Sequence, residues 1–525
     1  MRHIDFEVSI PDSTNYDVIV VGCGAAGIFC ASKLASQGKS VLIVESGEES
    51  EIDKYQNLNS IQEIAKKQSN PIWNRKRMLG GTTTAWGGQS LPFSPIDFTA
   101  RKWMPGDWPI KYEDLQEHYI IANQFMGVDT YNYDSDITQL TGVQDPGFNN
   151  VNIWFHFSKW APEPNFWKLK HQGLPETCFI LYHAHCTRLI WRDKHSIDGI
   201  EIASLSGKRL TVYSKAVFLA TGGIESTRML LLSAEDPNSP LAQASPWLGK
   251  GYMDHPSIEV AEVIGLTPLK LYKLQKQFGT QLYRSWKYSV RMSASTAWQA
   301  TNQLPNISSH FLFLPHHTRD WLGNLRSALQ QPSVINAWRL LRVCHLVILG
   351  LIILAAKRIV YRSNAKTVVC IMSEQPATSE SCVTLADTLD PFGLKQACIH
   401  WTIDPVVGKG IAAFSQLLKS ELKGLNICEL KLDPMLSLLP QEIVNLTSDV
   451  NHHMGGAKMS STPEGGVVDQ WMRPWGVTNL FVCSASVFPT SSHSNPTLTL
   501  LALCSRLLTR LSSLANLDSL NEGNL

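Results

Sequence analysis

"YDVIVVGCGAAGIFCASKLASQGKSVLIVESG", Tyr16 to Gly47, reads as strand, glycine turn, helix and second strand. The run VIVVG is continuously apolar and β-branched, as expected of a strand buried on both faces of a parallel sheet. Gly22, Gly24 and Gly27 then form G-x-G-x-x-G, and the helical spacing that follows stops at Gly38, a residue suited to end a helix. SVLIVES is the second strand, and Glu45 closes it at the distance where an acid reaches a ribose hydroxyl. Gly22 allows the tight turn, Gly24 lets backbone approach a pyrophosphate, and Gly27 lets helix and strand pack closely. The free N–H groups of the helix start complete the phosphate site. A lone glycine motif is weak, but strand, helix and acid in register make a dinucleotide site the expected reading. This unit alone does not separate FAD from NAD.

Working outward, 525 residues exceed what one hydrophobic core supports, so two domains are expected. A net charge of +1 provides no broad field to recruit nucleic acid. Eleven cysteines without regular spacing argue against a disulfide framework, and the polar start lacks a secretory apolar region, so a cytoplasmic location is expected. Charged residues make up 17%, below the roughly 25% usual for soluble domains. The apolar run Val343–Ala356 has basic residues on both sides and is too short to span a bilayer alone. It is either a buried helix or a membrane-interface helix, with peripheral contact through 339–362.

Beyond the nucleotide unit, MLGGTTTAWGG (Met78 to Gly88) resembles the flavin-contacting loop of the glucose–methanol–choline (GMC) oxidoreductases. DWPIKYEDLQEHY (Asp107 to Tyr119), KAVFLATGGIESTRMLLLS (Lys215 to Ser233), LGKGYMDHP (Leu248 to Pro256) and EQPATSESCVTLADTLDPFG (Glu374 to Gly393) resemble further family segments, in family order. The most specific likeness is the block Asn451 to Arg510, whose H-x-x-G-G and NPTLT forms are similar to the sugar-oxidising branch that includes pyranose oxidase. The resemblance implies an α/β architecture: an FAD-binding Rossmann-like domain with a discontinuous α+β substrate-binding domain. Residues 1–125, 176–260 and 446–525 are expected in the first, 126–175 and 261–445 in the second. Implied cofactor contacts are Gly22, Gly24, Gly27, Glu45, Gly81, Thr82, Trp86, Gly87, Cys186, Ser486 and Pro496. The branch's flavin-bonding histidine is replaced in Thr84-Ala85-Trp86 by alanine, so non-covalent FAD is expected.

In the carboxyl-terminal block, NHHMGGAKM aligns the family's active-site histidine with His452, and SNPTLT aligns the second member of the pair with Asn495. A neutral imidazole is suited to take a hydroxyl proton near neutral pH. An amide can hold the substrate oxygen without competing for that proton. His453 becomes the base if the alignment slips by one residue. Adjacent histidines in extended chain face opposite ways, so no metal site is expected. Asn495 also stands where it can cap the next helix, with Pro496 at the first position. His493 reads as a surface histidine or a pocket residue, and His255 as structural. None of the tryptophans is assigned to substrate.

The expected function is oxidation of a CH–OH group of a sugar, sugar derivative or polyol, with hydride passing to flavin and O2 or a quinone-like carrier as electron acceptor. A sterol or other alcohol oxidase, or a flavin-containing hydroxynitrile lyase, is the alternative on this fold.

Overall fold

The computed structural model describes residues 2–237, 239–243, 245–315, 320–363, 365–513 and Leu517. The remainder of the expected third nucleotide segment, 514–516 and 518–525, lies outside the described residues.

Strand Asn15–Val21 lies between Val41–Val44 and Arg209–Leu219, parallel to both. Cys178–Tyr182 and Arg2–Asp5 extend the parallel sheet beyond Val41–Val44, and Leu480–Val482 adds to it beside Val217–Leu219. Ile197–Ala203 and His185–Trp191 continue it antiparallel on the other side. All four side chains of Val41–Val44 are buried, as are Val18–Val21, so the apolar runs reflect cover on both faces. Helix Ala25–Ser36 follows the glycine turn, and Gly38 (φ +81°) ends it by returning its N–H to Ala35. A Cβ on Gly27 would lie 1.9 Å from the Gly22 carbonyl oxygen, so this contact admits only glycine.

The second large sheet is antiparallel, in the order Glu429–Leu432, Ser257–Ile264, Lys366–Ser373, Ile307–Leu314, Trp286–Ala294, Ile153–Trp160 and Gln89–Ser90. It borrows more from the expected nucleotide segments than the sequence suggests. Gln89–Ser90 pairs with Ile153–Trp160, and Ser257–Ile264 crosses the expected boundary at 260. Gln62–Ala65 joins a third sheet beside Lys395–Trp401. The physical reason is that the chain passes between the layers several times, and short edge strands pair with whichever sheet they reach.

The apolar run forms helix Cys344–Lys357, but only Gly350 in it is buried, against the ring of Trp321. Ile348, Leu349, Leu351 and Ile352 are exposed. The reading of this run as a core helix is therefore corrected: among the described residues it packs against helix Trp321–Gln330 and leaves much of its apolar surface uncovered. No single described helix is long and apolar enough to cross a membrane.

Candidate active site

A cavity of about 560 Å³ runs along the carboxyl ends of the parallel strands and under the second sheet. Its walls include Gly22, Gly24, Glu45, Gly81, Thr82, Trp86, Gly87, Cys186, His452, Asn495 and Pro496. Two of the expected contacts are absent from them. Gly27 instead packs the helix onto the strand, and Ser486 is buried with its hydroxyl on that of Ser484. Ser486 is corrected on this ground: its neighbours Ser484 and Ala485 face the cavity while it turns into the core.

The dinucleotide end fits the group expected there. Gly24 caps helix Ala25–Ser36 without a side-chain hydrogen bond, so its first N–H groups are left for a ligand. A Cβ at Gly24 would meet nothing within 4 Å, which is open space on the cavity side. Glu45 is buried and accepts from the Cys23 and Gly47 N–H groups at 2.9 and 3.0 Å, tying both turns together; burial pushes its carboxyl upward despite these bonds. In the cavity wall, burial would raise the Glu225 carboxyl, but Arg228 and Arg77 outweigh it and hold it well below the usual range. Arg228 also pairs with Asp390 at 2.6 Å, so this charged group is internally compensated. Sequence reading missed Arg77 and Glu225, whose roles arise only from pairing across the fold.

The His452 end is built by register. Met253 and Met454 exchange both backbone hydrogen bonds as a single antiparallel rung. In antiparallel pairing this sets residue 255 opposite residue 452, and their Nδ1 atoms lie 2.8 Å apart. A Cβ on Gly455 (φ +75°) would lie 1.7 Å from the Gly251 carbonyl oxygen, so the glycine two residues after His453 is what lets the two segments come together. One oxygen of the buried Asp254 accepts from the N–H groups of His255 and His452 at 2.6 and 3.0 Å. Its other oxygen has no hydrogen-bond partner among the described residues, and burial pushes its carboxyl up to about 7.

The hydrogen-bond chain fixes tautomers. His255 Nε2 lies 3.0 Å from the Ser491 carbonyl oxygen, which can only accept, so that nitrogen carries the proton. His255 Nδ1 is then an acceptor, and His452 Nδ1–H donates to it. His452 Nε2 is left with its lone pair, 3.2 Å from the Asn495 amide nitrogen. Burial first, then the neighbouring imidazoles, hold His452 well below the ordinary histidine range. Burial likewise lowers His255 to about 4, so at neutral pH it meets His452 as a neutral acceptor. The structural reading of His255 is thus corrected: it orients the neighbouring imidazole. No local sequence signal marks this, because its partner lies 197 residues away.

Asn495 does precede helix Pro496–Ser512, but makes no capping hydrogen bond. Its amide turns to His452 instead, which corrects the expectation of a cap. The preceding loop is held by buried side chains: Trp108 donates to Thr490, Ser491 accepts from the Gln375 N–H, and Ser492 donates to Asp97 at 2.7 Å. His493 is buried rather than exposed and stacks near His156 outside the cavity wall, since the loop turns its neighbours to opposite sides. His453 also lines the cavity, but its ring approaches Asn74 rather than Asn495. Trp73, Trp86 and Trp160, with Gln89, complete the wall.

A prediction follows from the tautomer chain. Replacing His255 by leucine removes the acceptor for His452 Nδ1–H and frees the ring to take the wrong tautomer; kcat/KM is expected to fall about 10- to 100-fold, the size of second-contact effects elsewhere. His255→Asn offers an oxygen acceptor near the same place and is expected to recover part of the loss. Equal losses in both variants, with an unmoved pH profile, would refute the positioning role.

The chain matches the family model described as GMC oxidoreductase over residues 377–504 and an FAD binding domain model over 17–54. It is 22% identical to the fructose dehydrogenase large subunit of Gluconobacter japonicus, covering 94% of this chain and 97% of that one. It is also 22% identical to 2-methyl-1,2-propanediol dehydrogenase of Mycolicibacterium austroafricanum, covering 93% and 94%. Among solved structures, an Aspergillus oryzae formate oxidase variant superposes with a TM-score of 0.61 at 15% identity, over 96% of this chain and 99% of that one. The dinucleotide cradle, the two family models and the full-length relatives converge: residues 377–504 match the GMC oxidoreductase family, the chain is similar to dehydrogenases along its length, and it is an FAD-dependent oxidoreductase.

Proposed function

We propose that the protein oxidises a secondary or primary hydroxyl of a sugar or related polyol, with His452 as general base and Asn495 as the group that holds the substrate oxygen. The observation that supports this is the His452–Asn495 pair at the cavity wall, with the basic nitrogen of His452 turned toward the amide at 3.2 Å. The two full-length relatives are named for fructose and for a diol, which favours a polyhydroxy substrate. Gly22 to Ala26 would hold the pyrophosphate and Glu45 a ribose hydroxyl. Bound FAD supplies the hydride acceptor.

The chain's own residues supply the rest. A substrate hydroxyl entering between the two side chains donates its proton to His452 Nε2 and accepts from the Asn495 amide. The imidazolium that results keeps its Nδ1–H on His255, so its position is unchanged as the charge appears. Asn495 stabilises negative charge developing on the substrate oxygen. Ala85 stands where the related branch carries its flavin-bonding histidine, so the FAD is held without a covalent bond to that position. O2 or a quinone-like carrier takes the electrons, and a cytoplasmic enzyme with peripheral membrane contact through 339–362 is part of this reading.

The test is anaerobic mixing of the holoenzyme with sugars, polyols, sterols and simple alcohols while the visible flavin absorbance is recorded. Bleaching by a sugar or polyol is the expected result. Bleaching only by a sterol would move the substrate class, and a flavin that none of them reduces would point to lyase chemistry. Acid precipitation of the same sample is expected to leave the yellow colour in solution; colour in the pellet would overturn the non-covalent assignment.

A further inference from the structure

Three consecutive helices, Trp321–Gln330, Val334–Arg342 and Cys344–Lys357, project from the second sheet between strands Ile307–Leu314 and Lys366–Ser373. In an ordinary surface helix the apolar stripe faces inward. Here Val334, Ile335, Trp338 and Leu341, which share one helical face, are 62% to 76% exposed, and no residue of their helix is buried. The next helix adds an exposed apolar face of its own, with Ile348 and Ile352 both at 59%. Burying a side chain of this size is worth about 1.5–3 kcal/mol, so water alone is a poor neighbour for this surface.

Charge selects the occupant. From Trp321 to Ser373 the sequence holds seven Lys and Arg and no Asp or Glu. At its foot Lys357 shares a cavity of about 280 Å³ with Lys273 and Lys276, lined otherwise by neutral residues. A symmetric contact with a second copy would bring like charges together. An anionic lipid surface meets both the apolar side chains and the cations. The geometry suits lying in that surface rather than crossing it. The last helix has 14 residues, about 21 Å, against roughly 30 Å of hydrocarbon, and it bends 69° from the one before.

We propose that this helical insertion docks the enzyme on an anionic bilayer, with Val334 to Ile352 in the headgroup–acyl boundary and the Lys273, Lys276 and Lys357 cavity taking a lipid phosphate. The inference gives the membrane contact of the preceding section a defined surface and lipid class. It stands apart from the redox chemistry, because vesicle binding and flavin reduction are read separately.

The experiment is flotation of the holoenzyme with phosphatidylcholine vesicles, with and without about one-third phosphatidylserine. The full chain is expected to float with the phosphatidylserine vesicles and to stay below with phosphatidylcholine alone. Trp338→Glu combined with Leu341→Glu is expected to abolish flotation while keeping the flavin and turnover with a soluble acceptor. Neutralising Arg339, Arg342, Lys357 and Arg358 to glutamine is expected to weaken partition by about 100-fold or more, since each near-surface cation is worth about fivefold. Failure of the unsubstituted holoenzyme to float overturns the proposal. So does a lipid-free dimer, seen by sedimentation, that the Trp338→Glu and Leu341→Glu pair dissociates, for the face would then be a contact between copies.

Discussion

His452→Ala is expected to keep its flavin and lose about 10²- to 10⁴-fold in turnover, the usual cost of removing a positioned general base. The nucleotide cradle lies at the other end of the cavity, so the visible spectrum should survive the substitution. Loss should fall on kcat and kcat/KM together, because proton removal belongs to the transition state. The unsubstituted enzyme carries a second signature. Because burial and its imidazole neighbours hold His452 well below the ordinary range, the acid limb of kcat/KM should lie below about pH 6.5. Near-normal turnover in His452→Ala would move the base to His453, which faces the same cavity.

Acidification is expected to destabilise the fold above the pH range in which ordinary, exposed carboxylates titrate. His156, His185, His255 and His493 are all buried, and burial is the leading cause that lowers each of them: His185 and His493 to about 3, His255 to about 4, and His156 well below the ordinary histidine range. Their unfolded forms bind protons near pH 6.5 and their folded forms do not, so the unfolded state gains protons first as pH falls. The stability they contribute is present above about pH 6.5 and is lost toward their folded values. At about pH 5 each costs roughly 2 kcal/mol. Asp254 and Asp97 act oppositely, since burial raises them to about 7 and about 6, and they offset about half of the loss. A net loss on the order of 4 kcal/mol is a large share of typical domain stability. The apparent Tm of the holoenzyme, followed by circular dichroism from about pH 7.5 to 5, should fall steeply. A flat profile would mean that these histidines are not neutral in the fold.

The nucleotide half was legible because its signal is local. Gly22, Gly24, Gly27 and Glu45 lie within one strand–helix–strand unit, where spacing alone sets the backbone path. The choice of Asn495 over His493 rested on resemblance, and the structure puts Asn495 beside His452 and His493 outside the cavity wall. The less legible features are those that depend on depth. His493 reads from sequence as a surface or pocket histidine and is 1% exposed outside the cavity wall; the run Val343–Ala356 is compatible with a core and is largely uncovered. Hydropathy tells which residues avoid water but not which neighbours will be there to shield them.

The amino-acid sequence by itself determined the dinucleotide cradle, because turn, helix start and acid all lie within one strand–helix–strand unit. Only the tertiary structure decided how the other end of the cavity works. The Met253–Met454 rung sets His255 against His452 across 197 positions, the Ser491 carbonyl fixes the direction of every proton in that chain, and Asn495 gives up its helix cap to face His452. These are consequences of register and burial between distant segments, and no short stretch of chain carries them.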